Sequence, residues 1–388
     1  MHAARWQALR DVATSAVSGK PLTLTALALG TTRATSLRHR VKCVDRLLAN
    51  GHLAQERIDA YRALAHQWLG GLSQLLIVVD WSSLTADLKW HWLRASVVVD
   101  GRSITLYEEV HARQHLAARQ VPRRFVQTAR STVAGNGATA DHHHRCRLSY
   151  HVVSPDRRAR LVLGRAHAQS RFCAAARWQV VCRQNPVCRG HRRGQRLDLG
   201  VYEAVRSRPF TCRFALIKTT PTGRQRKYPS GKVTHNSSTR KIARRYREPW
   251  LLSYSPELAY LGASAIVKLY AQRMKIEQQF RDTKNLALGM GLAQSKSHGQ
   301  RRLQALLCIA HIAGLAKRLI GEAAKAQQMA LQLMSTHHKK LNTISVMTLA
   351  TRVIERPDLL REITRTWTHL QTLRRQAIAA IDNPATPV

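Results

Sequence analysis

The stretch QLLIVVDWSSL, residues 74 to 84, restricts the fold more than any other. Five apolar positions, three of them β-branched, run without alternation up to Asp80, the pattern of a strand buried on both faces. A strand of that kind suits a central position in a sheet. Two further strand candidates follow, WLRASVVVDG and RSITLYEEV, divided by the Asp100-Gly101 pair that favours a tight hairpin. The expectation is an α/β chain with three adjacent strands and an acid at the C-terminal end of the first.

Helical periodicity surrounds this core. LTLTALALG, SLRHRVKCVDRLLAN and AQERIDAYRALAHQWL place apolar residues at helical spacing through residue 68, with Arg33, Arg38, Arg40, Lys42 and Arg46 on the opposing faces. Such a basic module suits DNA docking, and pattern alone equally allows a helical cap on the next domain. Strands return at TCRFALIK and PWLLSYS, separated by a basic, Gly/Pro/Ser-punctuated excursion over 219 to 247. A long amphipathic helix, GASAIVKLYAQRMKIEQQFRDTKNLAL, comes next, then an apolar helix over 303 to 320 and a helical C-terminal region. His311 and Lys317 interrupt that apolar helix, and the N-terminus lacks an apolar signal core, so a soluble, cytoplasmic and nucleoid-associated protein is expected, with no membrane partner. The seven cysteines form no CxxC pair and are read as thiols of a reducing compartment.

With 63 Lys+Arg against 22 Asp+Glu the chain carries a formal charge of +41, far beyond what solubility requires. The natural partner for that excess is a polyanion, most simply nucleic acid, whose phosphates reward each cationic contact by counterion release. Within LYAQRMKIEQQFRDTK, a single uninterrupted helix would set Tyr270, Arg273, Glu277 and Lys284 along one face, with Ile276 and Phe280 toward the core. From the residues alone Glu277 is as well explained by an intrahelical ion pair as by a metal. An acid ending a buried strand together with an acid on a later helix is also what a divalent-metal phosphoryl-transfer site uses.

On these residues the sequence resembles the IS4 family of bacterial DDE transposases. IVVDWSSL around the first acid, DGRSITLYEEVH after it, and Tyr270, Arg273, Glu277 and Lys284 at the spacing of that family's Tyr-Arg-Glu-Lys signature carry the resemblance, and REPWLLSYS looks like its last core strand. The likeness spans residues 20 to 125 and 199 to 320. It implies an RNase H-like mixed sheet flanked by helices, interrupted by a β-rich insertion, and Mg²⁺- or Mn²⁺-dependent cleavage at transposon ends with strand transfer into target DNA. By the same resemblance Asp80 and Glu277 are the first and third catalytic, metal-binding acids. Tyr270, Arg273 and Lys284 contact the DNA ends, and the partners are double-stranded terminal repeats, target DNA and a second copy of the chain on DNA. The implied division is a helical DNA-binding module over 1–68, the first part of the core over 69–127, a basic β-rich insertion over 198–248, the last core strand and catalytic helix over 249–325, and a helical C-terminal region over 326–388.

Residues 128 to 197 do not fit this scheme. They hold 14 Arg, no Lys and four of the seven cysteines, and keep no period of 2 or 3.6. The family's second acid, on an apolar strand ending Thr-Asp-Ala-Gly-Phe, is missing; Asp141 stands near its place but precedes His142, His143 and His144. The genetic code supplies a reason: His codons read one base later give Ile or Thr, and ADHHHRCRLSY in that offset can read Pro-Ile-Ile-Ile-Thr-Asp-Ala-Gly-Phe-Arg. LVLGRAHAQSRFC and QNPVCRGHRR yield protein-like strings in the same offset. The segment is therefore expected to be translated out of frame, which the nucleotide sequence decides, and this copy is expected to fold only in parts and to lack strand-transfer activity. A zinc site on the three histidines matches no ligand spacing, and no GxSxG arrangement supports a serine nucleophile. The alternative kept is a non-catalytic, basic DNA-binding protein.

Overall fold

The computed structural model describes residues 2–69, 74–118, 120–133, 145–149, 164–165, 195–204, 210–217, 250–286, 289–333, 344–363 and 366–382. Asp141, the three histidines and the basic excursion over 219–247 lie outside them. The chain is mixed α/β and divides into two units, one formed by Met1–Cys146 with Met274–Asn383, the other by Arg147–Arg273 with the last residues.

In the first unit β1 (Gln74–Ser83), β2 (Trp90–Val98) and β3 (Ser103–Ala112) form an antiparallel meander, and β4 (Arg145–Ser149), whose first two residues belong to this unit, adjoins β1 on its free side to give the order β3-β2-β1-β4. Asp80 pairs with Arg94, and Arg94 with Glu108, in register across the three strands. The expected hairpin is present: Val99 N–H donates to Arg102 O at 3.0 Å across Asp100-Gly101, and Gly101 takes φ +67, a conformation that costs glycine little. All ten residues from Leu75 to Leu84, like nearly all of β2 and β3, are buried or half-buried on both faces, as the unbroken apolar run requires.

Four helices precede the sheet, α1 (Ala3–Val17), α2 (Leu24–Leu29), α3 (Leu37–Ala49) and α4 (Gly51–Leu69), with Thr23 and Ser36 side chains accepting from backbone N–H groups at the starts of α2 and α3. After α5 (Gln120–Ser131), which packs on β3, the unit resumes at α7 (Met274–Lys284) and continues through α8 (Gln300–Ala326), α9 (Ala330–Leu333), α10 (Val346–Ile354), α11 (Pro357–Glu362) and α12 (Leu370–Asp382). The helix α8 is the spine, touching α1, α3, α4, β3 and α10, while α12 packs on β1 and β2. The N-terminal helices are thus part of this unit and cap its sheet and spine. By length and composition α8 could cross a membrane, yet 72% of its most apolar window is buried inside the protein, as in a core helix. The polar residues that break its apolar run, His311 and Lys317, are themselves buried.

The second unit holds an antiparallel sheet of order β5-β8-β7-β6, from β5 (Gly164–Arg165), β6 (Arg196–Ala204), β7 (Phe210–Ile217) and β8 (Trp250–Tyr254). The strand in REPWLLSYS, expected as the last strand of the catalytic sheet, pairs with β7 and β5 here instead. Hydrophobic pattern identifies a strand and leaves its partner open; β7, with Phe214, Ala215 and Leu216 buried, offers β8 a full antiparallel ladder. The helix α6 (Gly262–Ala271) packs on β6 and β7.

The long helix expected over 262–288 is two helices. At the junction Gln272 N–H donates to Leu269 O and Arg273 N–H to Tyr270 O, tight i→i+3 bonds that end α6. No Gly or Pro marks this point; α6 follows the second sheet and α7 the first, so tertiary packing overrides a locally continuous pattern.

Candidate active site

Successive strand residues alternate between faces, so Val78, Asp80 and Ser82 share one face of β1, and their register partners Ser96, Arg94 and Trp92 share the same face of β2. The helix α7 lies over that face. Lys284 Nζ donates to Ser82 Oγ at 2.7 Å, Phe280 packs on Trp92 with ring centroids 4.9 Å apart, and Ser96 Oγ donates to Gln279 Oε1 at 3.1 Å. Toward the hairpin end Lys275 Nζ donates to Val99 O at 2.9 Å, and Arg102 clasps Asp282 at 2.7 Å and Gln278 at 2.8 Å. Ser103 and Thr105 complete the polar seam through Gln279. Ile276 and Phe280 are buried, as expected.

This seating fixes the helix rotation. Lys275, Gln278 and Asp282 occupy the flank toward the hairpin, while Phe280 and Lys284 occupy the flank toward β1. Glu277, one turn before Phe280 and two before Lys284, belongs to the β1 flank. The half-buried Glu277 and the 7% exposed Asp80 therefore stand on facing elements. Asp80 Oδ1 accepts from the N–H of the following residue, Trp81, at 2.9 Å. Burial and the nearby Arg94 charge both hold the Lys284 ammonium below its usual range.

Beside Asp80 stands a buried network that pattern reading did not find. Arg94 Nε donates to Glu108 Oε2 at 2.7 Å with both side chains almost wholly excluded from solvent, and its guanidinium lies 4.3 Å from the Trp92 ring centroid and 5.1 Å from that of Phe280. Tyr61 Oη donates to Glu108 Oε1 at 3.0 Å, and Arg57 reaches the Glu108 carbonyl oxygen at 2.9 Å. The available signal was the charge itself: an Arg and two Glu inside strands buried on both faces must be paired there. On the other face of β3 the Glu109 carboxylate accepts from Tyr107 Oη and lies 3.0 Å from His111 Nε2, contacts that keep it ionised below the usual carboxylate range despite its burial.

Of the five residues the sequence singles out, Asp80, Glu277 and Lys284 belong to the first unit, Tyr270 and Arg273 to the second. The break at Gln272–Arg273 ends the single helical stripe expected to join all four signature residues. Within the second unit Tyr270 is buried and the Arg273 guanidinium lies 5.7 Å from its ring centroid. Among the basic N-terminal residues, Arg33 is bound to Asp11 at 2.7 Å and Arg40 to the Thr31 carbonyl oxygen at 2.8 Å. Arg38, Lys42 and Arg46 stay exposed along one face of α3, without an ion pair or hydrogen bond among the described residues.

The carboxylates of Asp80 and Glu277 are oxygen donors of the type Mg²⁺ prefers. Among the described residues no third His, Cys, Asp or Glu joins them in a metal-holding group, so this donor set falls short of a two-metal centre. No family model matches the chain, and no curated protein matches it.

Proposed function

We propose that the chain is a DNA transposase of the DDE type by descent, an RNase H-like core with a β-rich insertion, which retains DNA binding and lacks end cleavage and strand transfer in its present reading frame. The observation that carries this reading is the Lys284–Ser82 bond, which seats the Glu277 flank of α7 over the strand of Asp80. Three others support it. The strand order β3-β2-β1-β4 puts the Asp80 strand inside its sheet with a fourth strand beside it. A separate antiparallel sheet occupies the chain between that fourth strand and Glu277. The charge of +41 and the free cationic row of α3 suit a duplex partner, bound by two copies of the chain.

The missing acid has a place in this arrangement. In the offset frame the Thr-Asp-Ala-Gly-Phe aspartate is spelled by bases of the Arg145 and Cys146 codons, where β4 begins next to β1. Restoring the frame over residues 128–197 is therefore expected to put a third carboxylate on the strand adjoining that of Asp80. The test uses duplexes carrying the two ends of the DNA element that encodes the chain. The parent protein binds them without cutting; the frame-restored protein cuts them in Mg²⁺ or Mn²⁺, and Asp80→Ala or Glu277→Ala abolishes the cutting. Comparable cleavage by the parent would sink the inactive-copy reading.

A second reading, a basic DNA-binding protein with no catalytic ancestry in its core, is favoured by the shortage of acids among the described residues. It requires salt-dependent binding that survives Asp80→Ala and Glu277→Ala, and a frame-restored protein that still cuts nothing.

A further inference from the structure

Inside the first unit, between the β2–β3 hairpin, α7, α8 and α10, lies a cavity of about 70 Å³. By volume it holds roughly five waters or one small polyatomic ion. Three of its lining residues carry a buried side-chain nitrogen without a hydrogen-bond partner among the described residues: Arg94 at Nη1, Arg318 at Nε, and His311 at Nε2, which donates or accepts according to its tautomer. All three residues are more than nine-tenths buried. Unpartnered buried polar atoms are rare in folded proteins, and three on the residues around one small space, two of them guanidinium donors, point to an occupant.

The chemistry of the lining selects the occupant. Guanidinium and ammonium groups only donate, so what fills the space must mainly accept. The lining carries Arg94, Arg102, Lys317 and Arg318 against a single carboxylate, Asp282. That acid is bound to Arg102, and the nearby Glu108 and Glu322 are bound to Arg94 and Arg318. One cation is left over, Lys317, which is buried and makes no ion pair or hydrogen bond among the described residues; Glu355 acts on it only through space. Water can pair with the hydroxyl and amide oxygens of the lining, but it leaves the charge of Lys317 without a counter-ion. An ion with several acceptor oxygens and a negative charge would satisfy the orphaned donors and the unpaired ammonium together.

We propose that this cavity binds a phosphate-class oxyanion through Arg94, Arg318 and Lys317, a site separate from the carboxylates of the candidate active site. The oxyanion is either free phosphate or a phosphate of the DNA backbone. The probe is radiolabelled inorganic phosphate in equilibrium dialysis against the full-length protein, with chloride holding the ionic strength constant. Two variants separate the cavity from the basic surface. Lys317→Met removes the unpaired charge. Gly314→Leu, on α8, grows a side chain from a position where an added Cβ meets only Met290 Cε, at 3.5 Å, and fills the cavity without touching a charge.

The expected result is one phosphate per parent chain and affinity weakened about tenfold or more in each variant, the size of losing a charge-assisted contact or the space for the ion. If duplex DNA displaces the phosphate and Lys317→Met also weakens DNA binding, the source is a backbone phosphate; if both bind together, it is the free anion. Phosphate binding equal in parent and variants would place it on the surface and overturn the proposal. So would the absence of stoichiometric binding at millimolar phosphate, which would leave the cavity to water.

Discussion

His311 offers a direct test of how this core is built. Its ring stacks on Tyr61 with centroids 4.8 Å apart, and it is buried beside Arg94 on the spine helix α8. Burial first, then the positive charge of Arg94, push the imidazole down to about 3 from an ordinary 6.5. A base whose folded pKa is depressed binds fewer protons in the native state, so its contribution is complete above the unfolded value and is lost as pH falls from 6.5 toward 3. Integrated to pH 5, the loss is about 2 kcal/mol, and it approaches ~5 kcal/mol below both values. With a urea dependence of roughly 1–3 kcal/mol per molar, the unfolding midpoint at pH 5 falls by about 1 M relative to pH 8. The fluorescence of the buried Trp68 and Trp92 follows the transition in this unit. His311→Phe keeps a ring against Tyr61 and removes the base, so its midpoint lacks this component, and subtracting the two profiles cancels the remaining histidines and the general charge repulsion. Parallel pH profiles for parent and variant would refute the reasoning, because they would mean that His311 is hydrated or protonated in the fold.

Other perturbations test other parts of the same structure. Glu108→Leu strands the buried Arg94 guanidinium and is expected to cost about 3–5 kcal/mol in urea unfolding, while adding Arg94→Met restores most of the loss because the pair leaves together. Gly314→Ala, with room for its Cβ in the interior of α8, is expected to stabilise by about 0.5–1 kcal/mol. Gly321→Ala drives its Cβ into the Val346 carbonyl oxygen of the entry to α10 and is expected to cost about 1–3 kcal/mol by the same measurement. Replacing Arg38, Lys42 and Arg46 together with Ala removes the exposed row of α3; if each meets a phosphate, the log–log salt slope of DNA binding falls by about 0.9 per contact, and an unchanged slope would place the duplex elsewhere.

The first sheet was legible because its signals are local. An unbroken apolar run, two further strands and Asp100-Gly101 marked three strands and their hairpin, and helical periodicity marked α2, α3, α4 and α8. What pattern could not supply was partnership. Nothing within PWLLSYS says that it completes the sheet of β7, and nothing at Gln272–Arg273 says that one amphipathic pattern is shared by two helices bound to different sheets. The polar seam under α7 was hidden for a related reason: Gln279, Ser96, Ser103 and Thr105 are unremarkable singly and become a unit only when the helix is laid on the strands. Arg94 and Glu108 were hidden more deeply, since helix and strand patterns treat charge as a mark of the surface, and here the two neutralise each other inside the core.

The placement of acids explains how a chain this basic keeps a core. Acids in the first unit are matched to single cations: Glu108 to Arg94, Asp282 to Arg102, Glu322 to Arg318, Asp11 to Arg33, Glu56 to Arg5. Three of these pairs bind elements distant in sequence, so the scarce carboxylates act as clasps holding the hairpin, α7 and the N-terminal helices in place. Further pairs such as Arg302–Asp45 and Arg62–Asp59 add to these, yet the chain keeps a formal charge of +41, and Arg38, Lys42 and Arg46 display part of it on an open helix face. Repulsion among such charges weakens the folded state unless a counter-charge arrives from outside. A polyanionic duplex, the partner proposed above, would meet that requirement across an extended surface, which small ions reproduce only by screening, and binding it would then favour the folded state.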